Sequence, residues 1–181
     1  AKRLSELAAG DPSRLVRHEA TRALGTLAPE HVAPHVAALA SALRDSEMLV
    51  RRDAAKALAN VDPLVLRQHA KLLTECLDDD FWPVRLWVCK VLAMLGPQAA
   101  CGACARKLAT LSMEDAEPPV REMAARALGC LGNEAITHVQ WITEQLFSTQ
   151  EDDQERACMA LAATLKGPEV EARRVAASAL A

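Results

Sequence analysis

One short string returns along the chain at nearly constant spacing, and that repetition limits the fold more than any other feature. It reads Val16-Arg17…Ala20…Ala23-Leu24, then Val50-Arg51…Ala54…Ala57-Leu58, Val84-Arg85…Val88…Val91-Leu92 and Val120-Arg121…Ala124…Ala127-Leu128. The valines stand 34, 34 and 36 residues apart. A weaker fifth copy carries Ala157 and Ala160-Leu161, with Asp153 in the valine's place, and a sixth partial copy (Ala172-Arg173…Ala176…Ala179-Leu180) follows only 19 residues later. Counted from the valine, apolar residues fall at 0, +4, +7, +8 and +11, which at about 3.6 residues per turn is one stripe of an amphipathic helix, helix B. Pro29, Pro63 and Pro97 stand at +13, where a proline ends one helix and opens the next; Asp62-Pro63 reads as an N-cap and first helical residue. The stretches between also have helical period, most clearly Val65, Leu66, His69, Leu72, Leu73, Cys76 and Leu77, and form helix A. Such a pair of antiparallel helices cannot bury its faces alone and must stack on its neighbours.

The loop between A and B has a rule of its own. Asp11, Asp45, Asp79 and Asp115 stand five residues before the valine, and Arg17, Arg51, Arg85 and Arg121 one after it. An Asp there suits capping and the helix dipole, and the Arg can reach the Asp of its own or the next repeat. The Asp-loop-Val-Arg-x-x-Ala-x-x-Ala-Leu-Gly pattern resembles the HEAT repeat over residues 1–165. The resemblance implies an all-α fold, an α-α superhelix (HEAT-like solenoid) of about five helix-pair repeats and ten or eleven helices. It also implies B helices on the concave side, an Asp/Arg ladder joining repeats, and partner binding along the concave face. The expected organisation is one array over 1–181, with repeats at 1–28, 29–62, 63–96, 97–132 and 133–166 and a partial one at 167–181. The first helix A is short and residue 1 is Ala, so the chain reads as a fragment of a longer one.

Composition agrees with helices. Hydrophobic residues make up 51% and aromatics only 3%, which leaves Ala and Leu to form the core. Net charge is −3, which disfavours tight nucleic-acid binding, and no apolar run reaches the roughly 20 residues needed to span a bilayer. Cys76, Cys89, Cys130 and Cys158 lie inside helical patterns as small hydrophobes, which fits a reducing, intracellular and cytoplasmic setting.

Catalytic signals are incomplete. Arg17-His18-Glu19-Ala20 resembles the His-Glu motif of deoxyhypusine hydroxylase, a HEAT-repeat enzyme that binds two irons, and such a site needs several His-Glu pairs. The corresponding positions are Arg52-Asp53, Leu86-Trp87 and Glu122-Met123, none of which repeats the motif. Cys101-x-x-Cys104 has no second pair to complete a zinc set. The expectation is therefore no enzyme, no metal and no cofactor.

The basic positions are more suggestive. Arg22, Lys56, Lys90 and Arg126 all stand at +6, about 240° from the valine and opposite the buried stripe. Position +2 adds His18 and Arg52, Trp87 stands near Lys90, and Phe81-Trp82-Pro83 reads as a hydrophobic loop tip. A repeat that merely keeps long polar residues on its wet face would look the same. The functional reading is a scaffold or adaptor with a partly basic concave surface for a protein or peptide, acidic or phosphorylated, without membrane insertion and within a larger chain or complex. The alternatives are a subunit or domain of a HEAT-type enzyme (bilin lyase-like or deoxyhypusine hydroxylase-like) and a weak nucleic-acid-binding module.

Overall fold

The computed structural model describes residues 1–99, 101–168 and 170–181. Among these there is no strand. The α-helices are α1 (Lys2–Gly10), α2 (Arg14–Leu24), α3 (Pro29–Val32), α4 (Val36–Ala42), α5 (Met48–Leu58), α6 (Pro63–Leu66), α7 (Ala70–Glu75), α8 (Trp82–Leu95), α9 (Gly102–Glu114), α10 (Pro118–Leu128), α11 (Ile136–Glu144), α12 (Glu151–Thr164) and α13 (Val170–Leu180). A 3₁₀ turn at Ala33–His35 joins α3 to α4, and another at Arg67–His69 joins α6 to α7. With each of those pairs counted as one broken rod, the described residues form eleven, in the A-then-B order that the repeat predicts. Pro34 occupies the first break and has no N–H to donate back. The second break contains no proline, so the break belongs to the repeat and Pro34 is accommodated by it.

The described residues form two compact units, Ala1–Val91 and Leu92–Ala181. In the first, α1 packs on α2 and α4, α2 on α5, and α4 on α5. Leu24, Leu39, Val50, Leu58, Leu66, Leu73, Leu77 and Val84 are fully enclosed. Val16 departs from the expected stripe: it is 37% exposed, against 0% for Val50 and Val84. The cause is position, since α5 has the preceding B helix, α2, packed against it, while α2 is itself the first B helix among the described residues. Asp62 accepts the N–H of Leu64 at 2.8 Å ahead of Pro63, the N-cap geometry that the dipeptide calls for.

In the second unit α9 packs on α10, α10 on α12, and α11 on α9, α12 and α13. Leu92, Leu108, Val120, Leu128, Leu131, Val139, Ile142 and Leu161 form its interior. Two glycines let backbone approach backbone beside the ends of α10 and α12. A Cβ on Gly129 would stand 2.9 Å from the Thr164 carbonyl oxygen, and one on Gly167 would stand 2.6 Å from that of Gly129. The short interval near the C-terminus also has its explanation here. The chain passes from α12 through Gly167-Pro168 towards α13, which packs on both α11 and α12. It thus occupies the place of a sixth helix A. The 19-residue spacing is one helix and one turn, and the match of Ala172 and Ala176 to the B stripe reflects only that α13 buries one face of its own.

Candidate functional site

The Asp of each loop first folds its own turn. Asp11, Asp45, Asp79 and Asp115 accept the N–H two residues ahead, from Ser13, Glu47, Phe81 and Glu117, at 2.8, 2.9, 2.9 and 2.9 Å. The following Arg then turns back on the loop. Arg17, Arg51, Arg85 and Arg121 donate Nη1 to the carbonyls of Asp11, Asp45, Asp79 and Asp115 at 3.0, 3.0, 2.7 and 2.8 Å. For Arg17 and Arg51 the other edge of the guanidinium grips the next repeat. Arg17 reaches Asp45 at 2.6 and 2.9 Å, and Arg51 reaches Asp79 at 2.7 and 3.0 Å. These are bidentate, shielded pairs. The Arg17 fork holds the Asp45 carboxyl below its ordinary range. Burial pushes Asp79 up, but Arg51 and the Phe81 N–H together outweigh it and leave Asp79 lowered.

Two ladder residues lack this partner among the described residues. Asp11 accepts from Ser13 but from no Arg, and Arg121 donates to the carbonyls of Asp115 and Ala116 but to no carboxylate. Arg121 is a correction to the expected ladder, and its cause is readable in the fifth copy. Ser148 stands in the Asp position, accepts the Gln150 N–H at 3.2 Å and donates its hydroxyl to Asp153 at 3.0 Å. Gln154 stands in the Arg position and donates to the Ser148 carbonyl at 2.6 Å. The turn is thus rebuilt with neutral residues, and no loop carboxylate is left for Arg121.

The basic stripe divides into free and neutralised members. Lys90 Nζ lies 4.6 Å from the centroid of the Trp87 ring and Lys56 Nζ 5.9 Å from it. Neither lysine forms an ion pair among the described residues, so Trp87 on α8 and Lys56 on α5 join two helices of the first unit into one cationic, aromatic patch. Arg22 is paired with Glu19 at 2.6 Å and Arg52 with Asp53 at 2.7 Å, so these two cations are neutralised within the chain. His18 Nε2 stands 3.1 Å from the second oxygen of the buried Asp53. Sequence reasoning missed Asp53 as the group that collects His18 and Arg52. The signal was there: position +2 of one repeat faces position +3 of the next. Arg126 is exposed in the second unit, without an ion pair to any described residue. Trp82, 36% exposed, opens α8 and so lies in its first turn and not in a loop tip.

Cys101 caps α9 by accepting the Cys104 N–H at 3.3 Å, and Cys104 is buried, which gives the C-x-x-C spacing a structural use. Among the described residues no three His, Cys, Asp or Glu converge as metal ligands, and no helix is long and apolar enough to cross a membrane. By sequence, the first unit carries thirteen basic and twelve acidic residues and the second eight and twelve. The acidity of the chain therefore resides in the second unit, and the first is faintly basic.

Comparison with known proteins gives a consistent picture. The family described as HEAT repeats matches residues 1–93 and 70–181. Among curated proteins, none matches in sequence closely enough to count as a relative. Among solved structures, the chain is similar to an engineered protein (TM-score 0.71, 21% identity, covering 99% of this chain and 94% of that one). It is similar to a designed armadillo repeat protein in complex with the peptide (KR)4 (TM-score 0.67, 19% identity, 98% and 86% covered). It is also similar to the complex of CpcE and CpcF of phycocyanin lyase from a Nostoc species (TM-score 0.60, 25% identity, 97% and 75% covered).

Proposed function

The chain belongs to the HEAT-repeat family, and on that premise we propose that it is a non-catalytic scaffold that binds an acidic segment of a protein partner. The observation that carries this reading is the pair of unneutralised lysines on Trp87. Each ammonium is held by a ring face and by no carboxylate among the described residues, so its charge remains available to a ligand. The ring adds apolar contact area beside the charges, as interface anchors do. Trp82 extends the apolar surface at the start of the same helix. A designed armadillo repeat protein of similar fold is seen with the basic peptide (KR)4; the unpaired lysines here favour an acidic segment instead.

The test is capture of an immobilised (Asp-Glu)4 peptide by wild type and by Lys56→Glu/Lys90→Glu. Capture by wild type should fall as salt rises, because exposed charges are screened over about 10 Å at 0.1 M. The double variant should capture less peptide than wild type, with its melting temperature nearly unchanged. Equal capture by both would exclude this patch.

The similarity to the CpcE and CpcF complex supports a second reading, a subunit of a bilin lyase-like enzyme. Purified chain that develops a visible absorption band on mixing with a bilin would favour it, and a spectrum equal to the sum of the components would oppose it.

A further inference from the structure

A cleft of about 280 Å³ opens in the second unit between α10 and α12, and Arg121, Arg156, Pro118, Met159, Glu122 and Lys166 lie around it. Both arginines are half-buried, and among the described residues both are bonded only to backbone. Arg121 donates to the carbonyls of Asp115 and Ala116, and Arg156 to that of Met113 at 3.4 Å. Neither has a carboxylate partner among the described residues, although by sequence this unit carries twelve acidic residues against eight basic ones. The nearby acids are engaged: Glu122 with Lys166 at 3.2 Å and Asp153 with Ser148 at 3.0 Å. The other repeats show what an arginine in the Arg121 position is built to hold. Arg17 and Arg51 use the same back-bond to their own loop, and then place Nε and Nη2 on an Asp.

We propose that this cleft is a carboxylate site, and that an Asp or Glu side chain of a partner peptide supplies in trans the ladder carboxylate that the fifth repeat lacks. Arg121 provides a preoriented fork, Arg156 a second guanidinium, and Pro118 and Met159 the apolar wall for the residues flanking the acid. The site shares no residue with the Lys56–Trp87–Lys90 patch and does not depend on it.

The experiment is an NMR titration of the whole chain, followed at the arginine Nε–H resonances, with the peptide acetyl-Ala-Leu-Asp-Leu-Ala-amide, its Asp→Asn analogue, and butyrate as a free carboxylate. The Asp peptide should give saturable shifts at Arg121 and Arg156, and the Asn analogue none. Arg156→Gln should weaken binding about tenfold, as expected for one charge-assisted pair. Ser148→Asp combined with Asp153→Val restores the loop carboxylate and the anchor valine in cis, and should abolish binding while raising the melting temperature. Lys56→Glu/Lys90→Glu should leave this titration unchanged, so the two sites succeed or fail separately. Butyrate binding as tightly as the peptide would overturn the peptide assignment and give the site to small free carboxylates. If no probe shifts the two resonances saturably, or Arg156→Gln binds the Asp peptide as wild type does, the site does not exist; that comparison stands even if the double substitution fails to fold.

Discussion

Asp79 satisfies two kinds of donor at once, the N–H of Phe81 in its own turn and the guanidinium of Arg51 from the preceding repeat. Asp79→Ala therefore removes a cap and leaves a shielded guanidinium short of its acceptor, and should cost about 1–3 kcal/mol in urea unfolding. The same carboxylates set the acid limb of stability. Asp45 and Asp79 are held below the ordinary Asp value of about 3.9, so their stabilisation is complete above that pH and is lost as pH falls through the lowered values. The urea midpoint of wild type should drop steadily below about pH 4, and Asp79→Asn should start lower and drop less steeply. Burial raises the Cys76 thiol to about 11, whereas Cys101 and Cys158 are exposed. A thiol reagent under mildly alkaline conditions should label the latter two first and reach Cys76 only on unfolding. At this scale the Asp and Arg positions were legible because their spacing repeats. Their partners were only half legible: that Arg17 bonds forward to Asp45, and that Ser148 and Gln154 stand in for an Asp and an Arg, requires the path of the loop.

Glycine positions separate the elements that tolerate more volume from those that do not. Gly167 and Gly129 bring the ends of α12 and α10 into backbone contact, so Gly167→Ala should destabilise by about 1–3 kcal/mol. Gly102, in the first turn of α9, has nothing within 4 Å of the place where a Cβ would stand. Gly102→Ala should therefore stabilise by up to about 1 kcal/mol through helix propensity. Thermal unfolding of the two variants checks both signs. Helix existence and order followed from the period of 34 because each B stripe is long and regular. The breaks in the A helices were not legible, since Ala33–His35 and Arg67–His69 keep an apolar period across the break. Nor was the place of α13, whose Ala-rich stripe fits either helix of a pair.

For the whole molecule, the summed charge conceals the property that matters for binding. A chain of net charge −3 carries its cations where the fold leaves them unneutralised, and Lys56 and Lys90 are two such places while Arg22 and Arg52 are not. A shared +6 register made the stripe visible in the sequence. Which members remain free was not visible, because neutralisation comes from Glu19 one turn away and from Asp53 beside Arg52. The most direct measurement is calorimetric titration of the chain with (Asp-Glu)4 and with (Lys-Arg)4 under the same low-salt conditions. Binding of the acidic peptide should be saturable and salt-sensitive, weaker in Lys56→Glu/Lys90→Glu and in Trp87→Ala than in wild type, and the basic peptide should not bind. Binding of (Lys-Arg)4 in preference to (Asp-Glu)4, or an affinity for the acidic peptide that the double reversal leaves unchanged, would contradict the assignment of Lys56 and Lys90 as the binding cations.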